Sequence, residues 1–132
     1  MTGDPELLEA LHHTLWVRHN LDLDGSRLLA TAGSNMAFNA IAQVICDLGD
    51  QVILPPPCYF NHGMAVQLAG GQPMAVDAGT VPDPDRLAAA ITPRTRAIVT
   101  TSPGHPSGAV LPEDRLKAIN RLCETHGLFH NP

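Results

Sequence analysis

Four short apolar runs, each ended within a few residues by proline, glycine or the chain itself, constrain this sequence more than anything else in it. They are residues 52–54, 74–76, 97–101 and 128–130. Residues 52–54 are too apolar for a strand with one wet face, and 97–101 reads as a buried strand. Between the four runs lie segments of about ten to fifteen residues with apolar positions at helical spacing, the pattern of βαβ units. Parallel neighbours need a crossover, and the crossover helices fall on the faces of the sheet. The expected fold class is therefore α/β, a three-layer sandwich around a mainly parallel sheet.

Taken in order, Asp4 and Pro5 start a first helix, with Leu7, Leu8, Leu11 and Leu15 on its apolar side, running to about Arg18. Asp24 and Gly25 form a turn, residues 27–31 a short strand, and Ala32 to Asn35 lead into a second helix. That helix is expected to bury Ala37, Ala40, Ile41, Val44 and Ile45 and to stop near Gly49. Pro55, Pro56 and Pro57 end the next strand, and Tyr59 opens a third helix carrying Phe60, Met64 and Leu68 at i, i+4, i+8. Asp83 and Pro84 start a short helix. Pro112 starts a last one, with Leu116, Ile119, Leu122 and Cys123 inside, Glu113, Lys117, Arg121 and Glu124 outside, and Gly127 at its end.

At 132 residues the chain reads as a single domain. A net charge of -5 without a basic stripe argues against nucleic acid as a partner, and no apolar run of membrane-spanning length argues against a membrane, so a cytoplasmic location is expected. Cys46, Cys58 and Cys123 are odd in number and widely spaced, which supports neither a disulfide framework nor a zinc site; they read as packing residues. His12, His13 and His19 never fall at i, i+4, so they read as solvated, and no metal site is expected.

Three places carry chemistry. Gly33, Ser34 and Asn35 stand where a strand gives way to a helix, and free backbone N–H groups at a helix start hold phosphate well; Ser34 also suits a plain N-cap. Tyr59 follows a strand at the same sheet edge, either as a core tyrosine under a loop or as a stacking ring. The third is Ser102-Pro103-Gly104-His105-Pro106-Ser107-Gly108, stiffened by two prolines and opened by two glycines. On chemistry alone it is equally a turn that changes direction or a ligand loop at the C-terminal edge of the strands.

Ser-Pro-x-x-Pro-Ser-Gly-Ala-Val, residues 102–110, resembles the Ser-Pro-Asn-Asn-Pro-Thr-Gly-Ala-Val segment of class I/II aminotransferases, and residues 31–38 resemble that family's phosphate loop. The three motifs occur in the family's order. The resemblance implies the first part of a fold type I transferase large domain and pyridoxal 5'-phosphate (PLP) as cofactor. Gly33, Ser34 and Asn35 would cradle the phosphate, Tyr59 would stack on the pyridine ring, and His105 would stand in the place of the family's cofactor-binding asparagine, before a cis proline. It implies transfer of an amino group from an amino acid to a 2-oxo acid, in a homodimer. The family's Schiff-base lysine and pyridinium carboxylate match nothing here, and Lys117, the one lysine, sits on a solvated helix face. The expectation is thus a truncated chain without catalytic residues, inactive alone. The alternative is a non-catalytic cofactor- or phosphate-binding α/β module. In the family the strand matching residues 27–31 pairs with a late strand that has no counterpart here, so it is expected to lack its neighbour.

Overall fold

The structure is a computed structural model that describes residues 3–21, 23 and 26–132. The chain divides into two compact units, Met1–Ala37 and Phe38–Pro132.

In the first unit, helix α1 (Pro5–His19) begins where expected: the Asp4 carboxylate accepts from the amides of Glu6, at 2.9 Å, and Leu7, and Pro5 needs no partner in the first turn. Asn20, left-handed at φ 51°, closes it. The expected leucine stripe is not a buried face: α1 has no buried residue, Leu8 and Leu15 are half-buried, and Leu7 and Leu11 are exposed. Trp16 and Val17 add apolar surface on other sides, since neighbours in sequence stand about 100° apart on a helix, so no single side concentrates the burial. The turn expected at Asp24 and Gly25 lies outside the described residues. Residues 27–31 do not form the expected strand. A strand exists through its ladder, and none of the four strands of the sheet pairs with this segment.

Helix α2 (Ser34–Ile45) leads into the second unit, whose elements are β1 (Gln51–Leu54), α3 (Phe60–Leu68), β2 (Gln72–Ala75), α4 (Pro84–Ala89), β3 (Thr95–Val99), α5 (Glu113–His126) and β4 (Phe129–Asn131). The sheet order is β2-β1-β3-β4 and every pairing is parallel; Ile53 lies opposite both Met74 and Ile98, and Ile98 opposite His130. Strand alternation sends side chains to opposite faces. Val52, Leu54, Ala97 and Val99 meet Phe38, Cys46, Ala65 and Val66 from the α2/α3 layer, whereas Ile53 and Ile98 meet Leu87, Leu111, Ile119 and Cys123 from the α4/α5 layer. The three-layer α/β sandwich is thus the observed fold.

The buried stripe of α2 differs from the expected one. Phe38, Ala42 and Cys46 are buried at i, i+4, i+8, Ala37, Ala40 and Ile45 are half-buried, and Ile41 and Val44 face outward, Val44 at 85% exposure. Asn35, Asn39 and Gln43 mark one polar stripe, and spacing alone does not choose which of the remaining apolar stripes meets the sheet. On α3, Phe60, Met64 and Leu68 share an exposed face, while Ala65 and Val66 turn inward.

Helix α5 matches its pattern closely: Ile119 and Cys123 are buried, Gly127 caps it at φ 65°, and Lys117 Nζ lies 2.6 Å from Glu113 Oε1 on the solvated side. All three cysteines are free; Cys46 and Cys123 are buried packing residues, and burial pushes the Cys123 thiol up to about 11. Because Ile98 is fully buried between β1, β4 and the α4/α5 layer, Ile98→Ala should cost about 2–5 kcal/mol of unfolding free energy. Val44→Ala should stay within about 0.5 kcal/mol. Denaturant titration reads both, and equal losses would contradict the assignment of the buried stripe.

Candidate functional site

All four strands point the same way, so the loops that leave them collect at one edge of the sheet. Past β1, Pro55 to Pro57 carry the chain to Tyr59, the backbone N-cap of α3, whose side chain makes no capping bond. Past β3, residues 102–110 fold back on themselves: Gly104 N–H donates to Ala109 O at 2.7 Å, Gly108 N–H to Gly104 O at 2.7 Å, and Leu111 N–H to Ser102 Oγ at 2.9 Å. Gly108 has φ +70°, a conformation that calls for glycine, whereas a side chain at Gly104 would need only the Ser107 hydroxyl, 2.9 Å away, to turn aside. The His105–Pro106 peptide is cis, as the resemblance implies; Ser102–Pro103 and Pro56–Pro57 are cis as well.

The two loops meet through their rings. Tyr59 and His105 lie edge to face, centroids 5.2 Å apart at 78°, and Tyr59 also meets Phe60 at 5.2 Å and 60° and His62 at 5.6 Å and 87°. Asn61 Nδ2 donates to the Tyr59 hydroxyl at 2.9 Å. An open recess of about 400 Å³ beside them is lined in part by Cys58, His62, Thr100, Gly104 and Ser107. Behind Tyr59, His62 packs on Phe38, centroids 4.3 Å apart, and burial there pushes its pKa below the ordinary histidine value. His130 is likewise pushed down by burial; its Nε2 lies 3.0 Å from Thr100 Oγ1 and its Nδ1 contacts Asn120 Oδ1. An amide oxygen only accepts, so Nδ1 carries the proton and Nε2 accepts from the Thr100 hydroxyl.

The other candidate residues belong to the first unit. Gly33 has φ +85° and its carbonyl accepts the Ala37 amide at 3.4 Å, so Gly33 occupies the cap and Ser34 is the first helical residue. The amides of Ser34, Asn35 and Met36 consequently have no carbonyl of their own helix to bond. Beyond its chain neighbours, nothing lies within 4 Å of where a Gly33 side chain would begin.

Of the residues the sequence singles out, the structure brings Tyr59 and His105 together as a ring pair in the second unit, while Gly33, Ser34 and Asn35 form a helix start in the first. Sequence reasoning missed Asn61, His62 and the Thr100–His130–Asn120 chain of hydrogen bonds, whose spacing carries no signal of its own. Among the described residues no three His, Cys, Asp or Glu side chains are grouped to hold a metal, and no helix is long and apolar enough to cross a membrane.

The family model for aminotransferase class I and II matches residues 1–130, and the chain belongs to that family. It is 38% identical over 131 residues to the aspartate/prephenate aminotransferase of Thermus thermophilus, covering 96% of this chain and 34% of that protein, and 36% identical over 134 residues to an aromatic aminotransferase of Arabidopsis thaliana, again covering 96% and 34%. Among solved structures it resembles the Thermus thermophilus aspartate aminotransferase with maleate (TM-score 0.86, 37% identity, 98% of this chain and 35% of that one). It also resembles the aromatic aminotransferase from Pyrococcus horikoshii (TM-score 0.90, 30% identity, 98% and 36%). The chain thus spans about a third of the length of these relatives.

His62 and His130 are both depressed below the ordinary value of 6.5. The unfolded chain then binds more protons than the folded one just below that value, so their stabilisation is complete above 6.5 and is lost as pH falls through the folded pKa values. Unfolding free energy should therefore decline as pH falls below about 6.5, and His62→Phe should flatten part of that slope. A slope unchanged by the substitution would remove His62 from the account.

Proposed function

We propose that this chain supplies the cofactor-binding part of a PLP-dependent aminotransferase that moves an amino group from an amino acid to a 2-oxo acid, acting as a cytoplasmic homodimer as its family does. The carrying observation is the Tyr59–His105 ring pair at the C-terminal edge of the sheet, in a chain of this family. In this reading PLP, when bound, supplies the electron sink for chemistry at the substrate's α-carbon. In the second unit the Tyr59 face would support the ring and His105 would offer an N–H donor where the family has asparagine; in the first unit, taken by itself, the amides of Ser34 and Asn35 are donors of the kind that hold a phosphate.

The residues fit the cofactor in two respects, the open space at Gly33 and the absence of any ring parallel to Tyr59 among its three aromatic neighbours. Lys117 fits no catalytic role. It is ion-paired to Glu113 with its side chain 62% exposed on α5, where it is neither desolvated nor aimed at Tyr59. That placement favours the second reading for the 132 residues taken alone: a phosphate- or cofactor-binding module without turnover.

Ser34→Pro deletes one amide at a helix position that tolerates proline, so it should abolish most PLP and phosphate uptake while leaving the thermal transition in place. Equilibrium dialysis with each ligand reads this, and undiminished uptake would sink the cradle. The 132-residue chain should show no transamination with any amino acid and oxo acid pair, and Lys117→Ala should leave PLP affinity unchanged. Turnover abolished by Lys117→Ala would contradict the placement of that lysine.

A further inference from the structure

We propose that Asn61 is a positioning residue, holding the Tyr59 ring ready for a planar ligand; the proposal rests on the cofactor reading above. Tyr59 caps α3 with its backbone only, so nothing in the cap restrains its side chain. Three rings touch it, Phe60, His62 and His105, at 60°, 87° and 78°. Offset stacking needs near-parallel planes, so none of the three already occupies Tyr59 as a stacked partner. Edge contacts of this kind hold the ring by its sides but set no direction for its hydroxyl. The far end of the ring is fixed instead by one directional bond, from Asn61 Nδ2 to the phenolic oxygen at 2.9 Å.

Asn61 is well placed for that task. It sits in the first turn of α3, whose inner residues Ala65 and Val66 are buried against the sheet, so the donor is carried by a packed element and not by a mobile loop. A side chain that must be ordered on binding subtracts from affinity, and one already ordered does not. Asn61 thus acts on a ligand only through Tyr59. It touches no reacting group.

The sequence contains one tyrosine, so selective ¹³C labelling of tyrosine rings reports Tyr59 alone. In the cofactor-free chain the wild-type ring should give a shift away from that of a free tyrosine, and Asn61→Ala should move it toward the free value without lowering the thermal midpoint much. Asn61→Asp, whose carboxylate accepts from the phenol, should keep the wild-type shift. PLP affinity should weaken about fivefold in Asn61→Ala, the worth of one net hydrogen bond. In a Tyr59→Phe background, which has no acceptor, Asn61→Ala should have no further effect. An unchanged ring signal in Asn61→Ala would show that the bond does not hold the ring, and a changed signal with unchanged affinity would show a bond without a binding role; either overturns the proposal. Equal losses in both backgrounds would do so too. A wild-type chain that takes up no PLP would sink the cofactor reading and the positioning role with it, and the cofactor-free signal would still decide separately whether Asn61 holds the ring.

Discussion

Burial of β1 and β3 on both faces is the constraint on which the rest of this molecule depends. Val52 and Leu54 point into one helical layer and Ile53 into the other, and Ala97, Val99 and Ile98 repeat the division one strand away. Two strands that must be dry on both sides need helices above and below. Helices above and below come from crossovers, which make the strands parallel. Parallel strands release their loops at a common edge. The meeting of Tyr59, seven residues before Val66 in one crossover, with His105, in another, follows from that chain of necessity and not from any attraction between the two rings.

What the edge then does depends on how rigidly its loops are held. Short backbone bonds from Gly104 and Gly108 close residues 102–110 on themselves, and that closure sets His105 against Tyr59. On the other side, His62 wedged on Phe38 backs the tyrosine from within the α2/α3 layer. The ring pair thus borrows its order from the same apolar cluster that stabilises the fold. Open parallel sheets generally bind their ligands at this edge.

The outward faces follow a different logic. Val44, Leu48, Phe60, Met64 and Leu68 are apolar and exposed on the layer that covers one side of the sheet, and β4, the edge strand, exposes Phe129. Apolar character along a helix therefore says that a residue can be buried, while the position of the sheet says whether it is. The same distinction separates Phe38, Ala42 and Cys46 from Ile41 and Val44 on α2.

The sequence by itself determined the elements and their order. Asp4, Asp83 and Gly127 marked helix ends because capping is a local bond between a side chain or a left-handed residue and the nearest free amides or carbonyls. The apolar runs marked the four strands; in β1 and β3 two-sided burial leaves no room for polar alternation, whereas β2 and β4, at the sheet's edges, stay partly exposed. Tertiary structure alone decided the rest. Residues 27–31 had the composition of a strand but no ladder, and a strand cannot exist without a partner. Which stripe of α2 was buried, that Asn61 would reach the Tyr59 hydroxyl, and that Thr100, His130 and Asn120 would bond across three elements all depend on where separate segments come to rest. Local spacing holds no information about distances between them.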